Sequence, residues 1–197
     1  MDDSFRSHKL SAKLARAILG ALSWRVELTP LPGPKYVLIG APHTSNLDFV
    51  FMLLLEFAAG LKLNWVGKHT AFEGPLGPLM RALGGIPVDR RTSNQFVEQM
   101  VGVFNRSERL ALLIAPEGTR GRAEHWRTGF YHIAAGAGVP IVFGYIDYRQ
   151  KVVGIGPSMT PSGDIDHDFA HIRDFYRSKA GRRPERQGEI LIRPYSA

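Results

Sequence analysis

The chain has 197 residues, no cysteine and a formal net charge of +7. That length suits a single domain whose core needs no disulfide or metal staple, and the lack of cysteine excludes thiolate metal sites and an acyl-enzyme on a protein thiol. The charge favours anionic partners such as lipid headgroups or phosphorylated substrates; the arginines are scattered and no nucleic-acid motif stands out, so no nucleic-acid partner is expected.

The acidic start Met1-Asp2-Asp3 is unlike a secretory signal. Leu10, Leu14, Ala17, Ile18, Ala21 and Leu22 share one helical face, with Lys9, Lys13 and Arg16 elsewhere, which predicts a basic amphipathic helix over residues 1–24. It packs on the domain or lies in a membrane interface. No apolar stretch is long enough to span a bilayer; Phe49 to Leu61 is too short and contains Glu56.

Residues 25–197 read as one domain of alternating strands and helices. Strands are predicted at Tyr36 to Ala41, Leu63 to Val66, Ile86 to Val88 and Leu110 to Ala115. Helices are predicted at Leu47 to Ala59, at a short segment ending near Leu83, and along Phe96, Met100 and Phe104 behind a capping box, Thr92 to Gln95. Beyond them come a helix at Phe130 to Ala137, an antiparallel pair at Pro140 to Ile146 and Val152 to Ile155, a helix carrying Ile165, Phe169, Ile172 and Tyr176, a basic loop at Gly181 to Gly188, and a final strand at Glu189 to Ile192. The pattern implies an α/β fold with a mostly parallel sheet flanked by helices, whose ligands bind at the carboxyl ends of the strands.

Three polar segments fall at such ends. His43 and Asp48, in His43-Thr44-Ser45-Asn46-Leu47-Asp48, straddle a strand-to-helix turn. A histidine there, with a carboxylate in the next helical turn, has the parts of a general base and its orienter. The alternative is that Ser45 or Asn46 caps the helix and Asp48 favours its positive end, which leaves His43 unexplained. Pro116-Glu117-Gly118-Thr119-Arg120-Gly121 brackets a carboxylate and an arginine with glycines; it reads as a ligand loop or as a solvated Glu117–Arg120 pair. Gly84-Gly85-Ile86-Pro87-Val88-Asp89-Arg90-Arg91 offers a second anion clamp or an ordinary surface pair.

Together with Val139-Pro140-Ile141, these blocks resemble, in order, the four motifs of the glycerophospholipid acyltransferase family, of the lysophosphatidic acid acyltransferase type, and the chain is similar to a short bacterial member. The resemblance implies that His43 deprotonates the acceptor hydroxyl and Asp48 orients it. It also implies that Arg90 and Arg120 bind an acceptor phosphate, that Glu117, Gly118 and Thr119 belong to the acceptor site, and that Pro140 supports the fold nearby. It implies an acyl thioester donor, on coenzyme A or acyl carrier protein, no cofactor or metal, a lysophospholipid acceptor such as 1-acylglycerol-3-phosphate, and a cytoplasmic protein peripheral on the inner membrane face. A thioester is already activated, so one base and good positioning suffice. Pro42, Pro87, Ala115 and Gly121 depart from the usual motif residues. They leave open another lipid hydroxyl, on a glycolipid or lyso-ornithine lipid; a non-catalytic protein binding anionic lipid is the remaining alternative.

Overall fold

A computed structural model describes residues 3–88 and 93–193. Seven strands form one sheet: β1 (Arg25–Leu28), β2 (Lys35–Ala41), β3 (Asn64–Lys68), β4 (Gly85–Val88), β5 (Leu110–Ile114), β6 (Ile141–Asp147) and β7 (Val152–Met159), in the order β1-β7-β6-β2-β5-β3-β4. The five strands from β6 to β4 run parallel; β7 is antiparallel to β6, and β1 is parallel to β7. The helices are α1 (Asp3–Ala21), α2 (Leu47–Ala59), α3 (Gly77–Ala82), α4 (Ser93–Arg106), α5 (Gly129–Ala137) and α6 (Ile165–Tyr176).

β2 and β6 are buried because each lies inside the sheet with helices over both faces, which is why they read as continuous apolar runs. One face carries α1 and α2, whose Ala15, Leu19, Phe51 and Leu55 pack on Leu38, Val142 and Val153. The other face carries α4, α5 and α6, whose Met100, Phe104, Phe130, Ile133 and Ile172 pack on Val37, Ile39, Leu112 and Ile141. Left-handed Gly60 and Gly138 end α2 and α5.

The fold differs from the sequence reading in several places. β1 has no clear signal: it is a short edge strand whose four residues are mostly exposed, so no alternation marks it. Residues 189–192 form no strand ladder; Ile192 makes a single bridge to Trp126. Pro140 lies at the amino end of β6, at the edge of the sheet opposite His43, where its carbonyl accepts the Val37 N–H at 3.0 Å. The clearest difference concerns α1. It packs through Ala15 and Leu19, while Leu14, Ile18 and Leu22 from the anticipated apolar face are 60%, 40% and 51% exposed. Thr92 and Asp89-Arg90-Arg91 lie outside the described residues.

Candidate active site

β2 and β5 are neighbours in the sheet, so the segments that follow them meet at its carboxyl edge. His43 follows β2 after a cis Ala41–Pro42 peptide, and α2 begins four residues later with Asp48 in its first turn. Asp48 Oδ2 accepts the N–H groups of Thr44 and Ser45, each at 2.8 Å, and stands 3.3 Å from His43 Nδ1. Asp48 Oδ1 accepts the Tyr148 hydroxyl at 2.7 Å. Burial alone would raise the Asp48 pKa, but hydrogen bonds from His43, Tyr148, Ser45 and Thr44 outweigh it and hold the carboxyl below its ordinary value. An ionised carboxylate against Nδ1 favours the tautomer protonated there, which leaves Nε2 free to accept a proton.

The turn is not capped as an ordinary helix start. Asn46 makes no capping bond, and its side-chain oxygen instead accepts from Arg120 Nη1. Ser45 Oγ accepts the Leu47 N–H at 3.2 Å. Asp48 therefore serves the turn twice, by fixing its backbone and by facing the imidazole.

His43 opens onto an apolar groove between α2 and the sheet. The groove encloses about 790 Å³, partly open to solvent, and its walls include Phe49, Met52, Leu55, Trp65 and Leu113. Gly40, Ala41, Ala115 and Gly144 line it with small residues, which keep it open beneath α2. Such a groove suits a hydrocarbon chain far better than a polar metabolite.

The loop after β5 divides its labour. Arg120 and Thr119 are exposed, and Thr119 Oγ1 accepts the Gly121 N–H at 3.1 Å. Glu117 does not pair with Arg120. Its carboxylate turns inward, where Oε1 accepts the His43 N–H at 2.9 Å and Oε2 is buried with no hydrogen-bond partner among the described residues. Burial pushes its pKa up to about 7, against the lowering pull of backbone N–H donors, its own and that of His43. A water-sized crevice lined by Pro42, Trp126, Tyr176 and Gln187 lies beside it. Gly118 is left-handed, with φ +66°, which is why the turn favours glycine; a Cβ there would also press on the Arg127 side chain, 2.7 Å from its Nε. The structure thus brings His43, Asp48, Glu117, Gly118, Thr119 and Arg120 to one edge, and Arg90 lies outside the described residues.

The family model for acyltransferases matches residues 25–145. The chain belongs to the acyltransferase family. The matched range covers more than half of this acyltransferase and contains His43, Asp48, Glu117, Gly118, Thr119 and Arg120, while Tyr148 lies just beyond it. The fold is similar to that of PlsC, a 1-acyl-sn-glycerophosphate (LPA) acyltransferase from Thermotoga maritima, with a TM-score of 0.57 and 16% identity over 90% of this chain and 82% of that one. No curated protein matches it.

Sequence reasoning missed Tyr148. It sits in the β6–β7 hairpin, one hundred residues from Asp48, with its ring against Trp24 and Phe51. The only signal was an aromatic residue inside an otherwise polar hairpin turn.

Proposed function

We propose that this acyltransferase moves a fatty acyl chain from an acyl thioester to the hydroxyl of a lysophospholipid such as 1-acylglycerol-3-phosphate. The observation that carries the reading is the apolar groove ending at a histidine clamped by a buried carboxylate. The acyl chain lies in the groove with its thioester carbonyl beside His43. His43 Nε2 takes the proton of the acceptor hydroxyl as its oxygen attacks that carbonyl. The tetrahedral intermediate then collapses, the C–S bond breaks, and the imidazolium returns the proton to the departing thiolate. Asp48 stabilises the imidazolium between these steps, and proton transfer through His43 is worth roughly a hundredfold or more in rate. Exposed Arg120, with Arg90, takes the acceptor's phosphate; the name of the similar PlsC supports that acceptor class.

The reading also places the protein on a membrane surface. No helix among the described residues is long and apolar enough to cross a membrane. Leu14, Ile18 and Leu22 on α1, Val50 and Phe57 on α2 and Leu76 and Leu79 near α3 are nonetheless exposed. The polar side chains of α2 turn away from solvent, Asp48 to His43 and Glu56 to the Leu63 N–H, so its outer side is apolar. Apolar helix faces beside a site for lipid suit the acyl boundary of a bilayer.

The test is thioester-dependent acylation of a panel holding lysophosphatidic acid, lyso-ornithine lipid and a glycolipid. Turnover of the phosphorylated acceptor that collapses in Arg120→Ala supports the assignment. Preference for an acceptor without phosphate moves the same chemistry to another hydroxyl.

A further inference from the structure

The segment from Arg177 to Arg186 carries five cations and one carboxylate, so it holds more than half of the chain's net positive charge. It is not a loose tail. Gln187 accepts the Gly181 N–H at 3.0 Å and donates to the Lys179 carbonyl at 2.9 Å. The Ala180 carbonyl accepts the Tyr148 N–H at 2.8 Å, and Arg186 N–H closes a 3-10 turn on the Arg183 carbonyl at 2.9 Å. The backbone is bolted to the catalytic turn itself: Arg183 N–H donates to Thr44 Oγ1 at 3.2 Å, and a Cβ on Gly181 would stand 2.7 Å from that oxygen.

The cations on this frame differ in their engagement. Arg177 pairs with Asp174, and Lys179 lies over the rings of Tyr145 and Phe175. Arg182, Arg183 and Arg186 are exposed, and no ion pair engages them among the described residues. A backbone fastened to Thr44, the residue after the reacting histidine, that carries three exposed guanidinium groups is suited to phosphate, which arginine grips with two parallel N–H donors.

Acyl transfer brings two anions to this edge, and Arg120 is engaged at Asn46 whereas this segment is fastened at Thr44, so each anion can have its own arginines. The donor's pantetheine arm must run from the thioester at His43 outward to a phosphate, past the segments that border the turn. We propose that Arg182, Arg183 and Arg186 bind the phosphate end of the donor's pantetheine arm, chemistry that coenzyme A shares with the prosthetic group of acyl carrier protein. The inference rests on the thioester reading above, and it assigns this loop to the donor instead of the acceptor.

The experiment compares the wild type with the triple variant Arg182→Gln, Arg183→Gln, Arg186→Gln. kcat/KM is measured for acyl-coenzyme A, for acyl-loaded carrier protein and for an acyl thioester of N-acetylcysteamine, which has no phosphate. The ratio of a phosphate-bearing donor to the neutral one should fall about tenfold or more, as expected for losing charge-assisted hydrogen bonds. A fall for either phosphate-bearing donor supports the site. Unchanged ratios for both, or a rise in acceptor KM alone, overturn the assignment. Calorimetric binding of free coenzyme A and of phosphopantetheine-loaded carrier protein is independent of turnover. Affinity for either that weakens in the triple variant supports the site even if the acyl acceptor is wrong; no binding of either to the wild type, or equal binding to both proteins, refutes it. Because the three side chains are exposed, folding is checked by circular dichroism, and Arg182→Gln alone serves if the triple variant is unstable.

Discussion

Two buried aspartates in this molecule have nearly the same surroundings and different uses. Asp48 accepts a tyrosine hydroxyl from Tyr148 at 2.7 Å, backbone N–H groups from Thr44 and Ser45, and faces His43 Nδ1 at 3.3 Å. Asp168 accepts a tyrosine hydroxyl from Tyr131 at 2.8 Å, a backbone N–H from Ser162 at 2.7 Å, and faces His167 Nδ1 at 3.5 Å. In both, burial raises the pKa and hydrogen bonds overcome it, so both carboxyls sit below their ordinary value. What differs is where the histidine leads. His43 is 28% exposed at the carboxyl edge of the sheet and opens onto an apolar groove, whereas the His167 side chain is 65% exposed on the surface of α6. A carboxylate–imidazole pair is therefore not a site by itself; the groove and the strand edge are what single out His43 and Asp48 for the proposed chemistry.

The sharpest way to break this comparison is to remove each imidazole. His43→Ala should cut thioester-dependent acylation roughly a hundredfold or more. His167→Ala should leave turnover intact and shift stability by no more than about 0.5 kcal/mol, as for an ordinary surface change. Turnover assays with parallel thermal melts decide it; equal turnover by the His43 variant and the wild type would remove the proposed base.

The same contrast shows what could be read from the chain. His43 and Asp48 are close in sequence, so the strand-to-helix pattern alone put them at one turn. β2 and β5 announced themselves because both faces are covered and, but for Lys35 at the start of β2, their residues are apolar. Tyr148 and the basic loop at residues 177–186 reach the site from the far end of the chain, and local patterns hold no record of such contacts. α1 shows a different limit. Periodicity correctly grouped Leu14, Ile18 and Leu22, but it cannot say what covers a face, and the domain core took Ala15 and Leu19 instead. β1 escaped because an exposed four-residue edge strand carries no burial pattern.

A third buried carboxylate sharpens the rule that donors decide the sign. Among the described residues Glu117 has no tyrosine donor and its Oε2 is unpartnered, so burial wins and its pKa rises to about 7. A group whose folded value lies above its ordinary 4.5 stabilises the fold fully below that value, and the benefit is lost as pH rises through about 7. Glu117→Gln keeps an oxygen for the His43 N–H and removes the titration. Relative to this variant, the wild type should lose about 3 kcal/mol of stability between those two pH values, at roughly 1.4 kcal/mol for each pH unit separating them. Denaturant unfolding across that range measures it; parallel curves for the two proteins would show that Glu117 titrates normally.

The smallest effects separate the two tyrosines. Tyr148→Phe removes one donor from Asp48 and leaves its backbone donors in place, so the carboxylate stays ionised but less firmly aimed at His43. Losing one such bond is worth about 1 kcal/mol, which corresponds to roughly a fivefold fall in kcat with little change in acceptor KM. Tyr131→Phe removes the equivalent donor from Asp168 and also strands the Gly163 N–H, which the Tyr131 hydroxyl accepts at 3.0 Å. Its cost of about 1–3 kcal/mol should appear in the melting temperature and leave kcat alone, because nothing in that cluster touches the groove. If both variants lowered stability equally and neither changed kcat, Tyr148 would be structural hardware like Tyr131, and the Asp48–His43 alignment would rest on the turn's backbone alone.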